Sequence, residues 1–270
     1  MDKIDGRQKK FIRELAEKSK VRRESGLFVV DGPKMCAEIP AELVSDVYVT
    51  DSFLRSPHAA CCEELLREKG FLTVSDADMK QMSDTVTPQG ILCVARQPKQ
   101  KGVRGLIEAA GTEAPLLILL ETLQDPGNLG TIIRASEAAG VTGIIMNSTT
   151  VDVFSPKVVR STMGSVFRVP FVTVTDLMKT VRDLAEGTYT GGKAVDVLAA
   201  CLQGKTDYTD YDYRRPCAFA IGNESAGLSE DMIREATVKI RIPMRGQVES
   251  LNAAMAATVI GFEAFRQRRS

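Results

Sequence analysis

The chain has no tryptophan and one histidine, and aromatic residues make up only 6% of it. Readout of nucleic-acid bases by stacking needs aromatic platforms, so a surface built on that principle is disfavoured. The six cysteines, Cys36, Cys61, Cys62, Cys93, Cys201 and Cys217, contain no Cys-x-x-Cys pair, and His58 is the lone imidazole. A zinc site is therefore not expected. Adjacent Cys61 and Cys62 read as core thiols on a helix, and all six as reduced cytosolic cysteines. No apolar run approaches the roughly 20 residues that span a bilayer. Met1–Arg13 is polar and charged, unlike a secretory leader. The expectation is a soluble, cytoplasmic protein. Charge of one sign is missing too: 35 basic residues balance 35 acidic ones, so any attraction to a polyanion must come from local clustering.

The apolar share, 44%, is ample for a packed core, and 270 residues allow one large or two ordinary domains. Basic charge gathers at the two ends. Within the first 23 residues Lys3, Arg7, Lys9, Lys10, Arg13, Lys18, Lys20, Arg22 and Arg23 face Asp2, Asp5, Glu14 and Glu17, and the tail carries Arg266, Arg268 and Arg269. Taken alone, such a stretch is a solvated helix face.

Apolar spacing predicts a helix over residues 4–20, a buried strand at Leu27–Val30, a helix over Ala59–Lys69 and a strand at Ile91–Ala95. These make a small α/β unit of residues 1–97. Residues 98–113, opened by the polar run Gln97–Lys101 around Pro98, read as a linker. Residues 114–270 then alternate strand and helix, with strands at Leu116–Leu120, Gly143–Met146, Val169–Val172, Lys193–Asp196, Cys217–Ile221 and Val238–Ile242, and a last helix over Ser250–Gln267. Alternation of this kind implies a parallel sheet covered by helices.

Three polar segments follow apolar strands in this second unit: Glu121–Arg134 (ETLQDPGNLGTIIR), Ala220–Ser229 (AIGNESAGLS) and Ile240–Ala253 (IRIPMRGQVESLNA). Polar loops at strand ends are where α/β proteins build sites. The first is neither a P-loop nor a dinucleotide fingerprint, since only Gly127 and Gly130 are present. That leaves no basis for a Rossmann dehydrogenase. Each segment also has a plain reading as a turn and helix cap, with Asn128, Ser229 and Ser250 as the caps. Capping leaves Gly222-Asn223-Glu224 without a reason.

Together and in this order the segments resemble the three motifs of the SpoU (TrmH) branch of the SPOUT RNA methyltransferases. More loosely, Gln8–Leu15, Arg22–Gly32 and Thr85–Ala95 resemble the N-terminal substrate-binding domain of ribosomal-RNA members, with Asp31 where that pattern usually has Glu. The resemblance implies an α/β chain with a C-terminal parallel-sheet SPOUT domain. It also implies a deep trefoil knot, much of it formed by Gly222–Gly246, and homodimers. The implied reaction is methyl transfer from S-adenosyl-L-methionine to a ribose 2′-hydroxyl. Asn128, Arg134, Glu224, Ser250 and Asn252 match the active-site positions, and Gly222, Ile242 and Leu251 those that contact the cofactor. The implied partner is structured RNA, ribosomal before transfer RNA. Lys9, Lys10, Arg13, Arg22 and Arg23 are the candidates to meet its phosphates. A non-catalytic RNA-binding protein that keeps the fold stays open at this stage. The catalytic half has no histidine, so proton transfer must use another group.

Overall fold

The computed structural model describes residues 4–269; Lys3, one of the basic residues counted above, lies outside them. The chain divides into two compact units.

The first unit takes in the chain up to Lys99 together with Asp152–Phe167. Its opening helix, α1 (Gly6–Glu17), starts where the Asp5 carboxylate accepts a hydrogen bond from Gln8 N at 2.6 Å. It buries Ile12, Leu15 and Ala16 on one face. Helix α2 (Ser19–Ser25) ends at left-handed Gly26, a conformation that favours glycine. There follow β1 (Leu27–Asp31), α3 (Pro33–Ala37), β2 (Val44–Thr50), α4 (Asp51–Leu54), α5 (Glu63–Lys69), β3 (Leu72–Val74), α6 (Asp76–Met82) and β4 (Ile91–Arg96). The sheet order is β1-β4-β2-β3, with β4 antiparallel to β1 and β2. Ile12, Leu15, Val29, Tyr48, Met79 and Leu92 pack in its core.

The continuous helix expected over Ala59–Lys69 is interrupted. Pro57–Cys62 is a 3-10 run and the α-helix starts at Glu63. In the tighter turn Cys61 is exposed while Cys62 is buried, so only one of the two is a core thiol.

Arg22 is not a surface residue. It is 4% exposed, its Nη1 donates to the carbonyls of Leu15 and Ala16, and its Nε and Nη2 both reach Asp152 Oδ2 at 2.7 Å. The expectation that it meets phosphate is corrected: a buried guanidinium with all its contacts satisfied holds α1, α2 and the Asp152 segment together. Arg22→Ala is expected to cost about 3 kcal/mol, because it strands a carboxylate and two carbonyls. A thermal unfolding scan of the whole chain would register this as a clear drop in Tm; an unchanged Tm would refute it.

The second unit comprises Gln100–Val151 and the chain from Arg168 onward. The stretch expected as a linker holds α7 (Gly102–Glu108), whose Val103 and Leu106 are buried in this unit's core. Then come β5 (Leu116–Leu120), α8 (Pro126–Ala138) and β6 (Gly143–Asn147). The chain next contributes α9 (Pro156–Thr162) to the first unit and returns for β7 (Phe171–Val174) and α10 (Leu177–Ala185). It ends with β8 (Asp196–Ala200), β9 (Thr206–Asp207), β10 (Cys217–Ile221), α11 (Glu230–Glu235), β11 (Val238–Arg241) and α12 (Ala253–Arg268). All seven strands pair in parallel, in the order β7-β6-β5-β10-β8-β11-β9. Central β5 and β10 are buried along their whole length, as strands covered on both faces must be. Helix α10 shows the matching pattern: Leu177, Val181 and Leu184 are buried at helical spacing. The strand expected at Lys193–Asp196 starts at its last residue instead, because Gly191 and Gly192 occupy the left-handed region and keep the preceding turn out of the ladder.

Candidate active site

Because every strand of the second sheet runs the same way, the loops after β5 and β10 leave from one edge. Leu120 pairs with Ile221, and Glu121 N donates to the Ile221 carbonyl at 3.0 Å. Segments a hundred residues apart thus become neighbours.

Side chains then join them. Asp125, not Asn128, caps α8: its carboxylate accepts from Asn128 N at 2.8 Å, and Pro126 takes the first helical position, where its missing N–H costs nothing. Asn252, not Ser250, caps α12, accepting from Ala254 N and Met255 N. Ser229 caps α11 as expected. With its oxygen engaged at the cap, Asn252 must present its amide N–H groups outward, and Nδ2 donates to Asn128 Oδ1 at 2.9 Å. Asn128 consequently turns its own Nδ2 to Glu224 Oε1 at 3.0 Å. The chain of donors and acceptors leaves neither amide free to flip.

Glu224 is the hub. Its carboxylate also accepts from Asp125 N at 2.9 Å and Gln124 N at 3.2 Å. Burial alone would raise its pKa, but Asn128 and the backbone donors outweigh burial and hold it below the usual carboxylate range. It sits where the first backbone N–H groups of α8 concentrate positive charge. An ionised carboxylate with three N–H donors is a poor proton acceptor near neutral pH. Glu224 shapes the loops around it.

Asn223, already noted in the second segment, and three residues that sequence reasoning did not single out complete the frame. Glu121 accepts from Ser229 N and Oγ at 2.8 and 2.6 Å. Asn223 donates to the Thr122 carbonyl at 3.0 Å and accepts from Ser225 N and Ala226 N. Thr122 has φ 57°, an uncommon conformation for a β-branched residue that costs about 1–3 kcal/mol. Asn147, at the end of β6, holds it there through Thr122 N and Oγ1 at 3.0 and 2.8 Å. Glu121 and Asn223 lie inside the quoted segments, so their polarity was the available signal; nothing in the sequence marks Asn147.

A cavity of about 350 Å³ opens between the second and third segments, within the range of small-molecule sites. Gly222, Ile242 and Leu251 all line it, as do Glu224 and Ser250. Asn128 and Asn252 join it only through the hydrogen-bond chain. At Gly222 a Cβ would lie 2.2 Å from the Gly227 carbonyl carbon, so any side chain there would collide with backbone. Arg134 stands apart. Because α8 begins at Pro126, Arg134 lies about 12 Å along the axis from the helix start. It is exposed, absent from the cavity wall and forms no ion pair with a described residue.

In the first unit, Lys9 is half-buried and bonded to Asp78 at 2.6 Å, and Arg13 pairs with Glu17 at 2.8 Å. Lys10 and Arg23 are exposed and form no ion pair with a described residue.

The SpoU rRNA Methylase family profile matches residues 115–262, the stretch that carries all three segments. The chain belongs to the SpoU rRNA methylase family. A second profile, the MRM3-like substrate binding domain, matches residues 7–93. Among curated SpoU relatives, the chain is 30% identical to 23S rRNA (guanosine(2553)-2'-O)-methyltransferase RlmP of Bacillus subtilis, over 89% of each chain. It is 32% identical to 23S rRNA (guanosine-2'-O-)-methyltransferase RlmB of Xylella fastidiosa, over 86% of this chain and 92% of that one. The SpoU methyltransferase AviRb of Streptomyces viridochromogenes, solved with AdoMet, superposes with a TM-score of 0.85 at 30% identity over 99% of both chains. Among the described residues, no helix is long and apolar enough to cross a membrane.

Proposed function

We propose that this chain methylates a ribose 2′-hydroxyl of 23S ribosomal RNA, with S-adenosyl-L-methionine as donor. The single observation that carries this reading is the cavity at the edge of the parallel sheet, where the expected cofactor positions meet the Glu224–Asn128–Asn252 chain. Support also comes from the reactions named for RlmP and RlmB and from the cofactor bound by AviRb.

The cofactor fits the residues present. Gly222, Ile242 and Leu251 would hold it by backbone and apolar contact, in a cleft whose floor tolerates no side chain at Gly222. When bound it supplies an electrophilic methyl on a sulfonium. Ser250, on the wall, orients the ribose hydroxyl, and Asn128, Asn252 and Glu224 keep the loops in place for an in-line approach. Arg134 anchors the adjoining phosphate and stabilises charge that develops on the 2′-oxygen. A guanidinium holds its proton too tightly to act as base, and Glu224 is occupied by donors. The proton therefore leaves to an RNA phosphate oxygen or to water.

Since Arg134 is absent from its own cavity, the same reading has it serve the cavity of a second copy. The apolar residues exposed on α12, Met255, Phe262 and Phe265, suit a homodimer through the C-terminal unit. The implied knot belongs to this reading and rests on the family match. The first unit binds the RNA substrate, consistent with its profile match, through exposed Lys10, Arg23 and Arg13 instead of buried Arg22. The location is cytoplasmic, in keeping with free cysteines.

The test is transfer of labelled methyl from the cofactor to 23S rRNA, with the modified ribose mapped in cells with and without the protein. Loss of one 2′-O-methyl in the deletion supports the reading; an unchanged map overturns it. Lys10→Glu with Arg23→Glu is expected to weaken RNA binding uniformly and to reduce the salt dependence by about two counterions. An unchanged salt slope in filter-binding titrations would place the RNA on another surface.

A further inference from the structure

Three charged residues line the cavity of the second unit: Glu224, Arg241 and Glu249. Glu224 is spent on its three N–H donors. The other two are not. Arg241 ends β11 and Glu249 precedes Ser250, so they bracket the loop that carries Ile242 and Met244 to the cavity wall. Both are exposed, and neither side chain forms a hydrogen bond or ion pair with a described residue, including with each other. The remaining wall is neutral: glycine and alanine, apolar side chains such as Ile221, Leu228, Ile242, Met244 and Leu251, a few amides and hydroxyls, and one thiol.

A neutral cleft with one unpaired cation and one unpaired anion suits a ligand with an uncharged body and a zwitterionic end. The proposed cofactor has both parts, joined through the sulfonium that carries the methyl. Its adenosine is neutral, and its methionine tail ends in an α-ammonium and an α-carboxylate. We infer that Arg241 and Glu249 read this tail, Arg241 pairing with the α-carboxylate and Glu249 with the α-ammonium. The inference rests on the assignment of the cavity to S-adenosyl-L-methionine. Neither residue belongs to the positions expected to bind cofactor or catalyse. The pairing also suits the reaction. The tail keeps both charges after methyl loss, so it anchors donor and product alike, and neither contact opposes the loss of charge at sulfur.

Both pairs are solvent-exposed, so each contributes about fivefold in affinity. The experiment is calorimetry on the full chain with three ligands. S-adenosylmethionine has tail and sulfonium. S-adenosylhomocysteine keeps the tail without the sulfonium. 5′-Methylthioadenosine has neither. The wild type is expected to prefer S-adenosylhomocysteine over methylthioadenosine. Arg241→Gln and Glu249→Gln should each weaken S-adenosylhomocysteine about fivefold and leave methylthioadenosine unchanged, and the double variant should lose most of the preference. An unchanged preference in the variants overturns the inference. So does parallel loss of methylthioadenosine, which would assign the two side chains to the shape of the cleft. If Glu249→Gln weakens S-adenosylmethionine alone, the carboxylate reads the sulfonium instead and the assignment falls. A wild type that binds none of the three rejects the cofactor reading itself, a result distinct from all of these.

Discussion

Arg134→Ala is expected to lower kcat about a thousandfold while S-adenosyl-L-methionine still binds with its wild-type Kd. The split follows from where the residue stands. Arg134 is exposed on α8 and absent from the cavity wall, so its loss removes nothing from the cofactor. In the proposed reading, what is lost is a fixed positive charge beside the reacting ribose. Arg134→Lys keeps a cation but not the planar fork. It should recover part of the rate if anchoring phosphate is the main role, and little if bidentate geometry is required. Single-turnover methylation of rRNA fragments, with calorimetry of cofactor binding alongside, gives both numbers. Turnover at the wild-type rate by Arg134→Ala would remove it from the mechanism.

The same variant tests whether the site is shared between two copies. Suppose Arg134 serves the partner's cavity. A mixed dimer of Arg134→Ala and a cofactor-dead chain then has one site with both defects and one with neither. Mixing the two inactive proteins should restore about a quarter of wild-type activity, since half the dimers are mixed and each has one sound site. If each chain completes its own site, the mixture stays dead.

The fold was legible where the pattern is dense. β5 and β10 are continuous apolar runs, and both lie within the expected bounds, because a strand buried on both faces leaves no polar residue to blur its ends. Edges were harder. The expected helix at Ala59 ignored how Pro57 tightens the turn, and β9 is two residues long, with no pattern to read. The caps show what a sequence hides. Asp125 and Asn128 both favour the start of a helix, as do Ser250 and Asn252, and composition does not choose between them. The choice is tertiary. Glu224, a hundred positions away, takes the Asn128 amide, which leaves the N-cap to Asp125. Arg22 fails for a related reason. In a run of basic residues it looks like its neighbours, and only Asp152, 130 positions on, makes it a core residue.

Gly222→Ala is expected to abolish measurable cofactor binding, a loss of at least about a hundredfold, with a fall in Tm of about 5 °C. The added carbon would sit 2.2 Å from Gly227 C, 2.3 Å from Gly227 O and 2.4 Å from Leu228 N. All three are backbone atoms, so no rotamer change relieves the clash. The loop must open, and opening breaks the paired hydrogen bonds between Asn223 and Gly227 at 3.0 and 2.9 Å. Asn223 then loses the Thr122 carbonyl, and Glu224 is drawn off the N–H groups of Gln124 and Asp125. The damage stays local, because β10 and β5 remain paired beneath the loop; a modest Tm change with a large binding change is the diagnostic combination. Two other glycines serve as controls. A Cβ at Gly246 meets nothing within 4 Å, so Gly246→Ala should bind cofactor normally. Gly227 is equally open but has φ 70°, so Gly227→Ala should cost about 1 kcal/mol of backbone strain and weaken binding only partly. Calorimetry on the three variants ranks them. Wild-type affinity in Gly222→Ala would mean that the cofactor does not lie over this loop, and the cavity would have to be assigned to a different ligand.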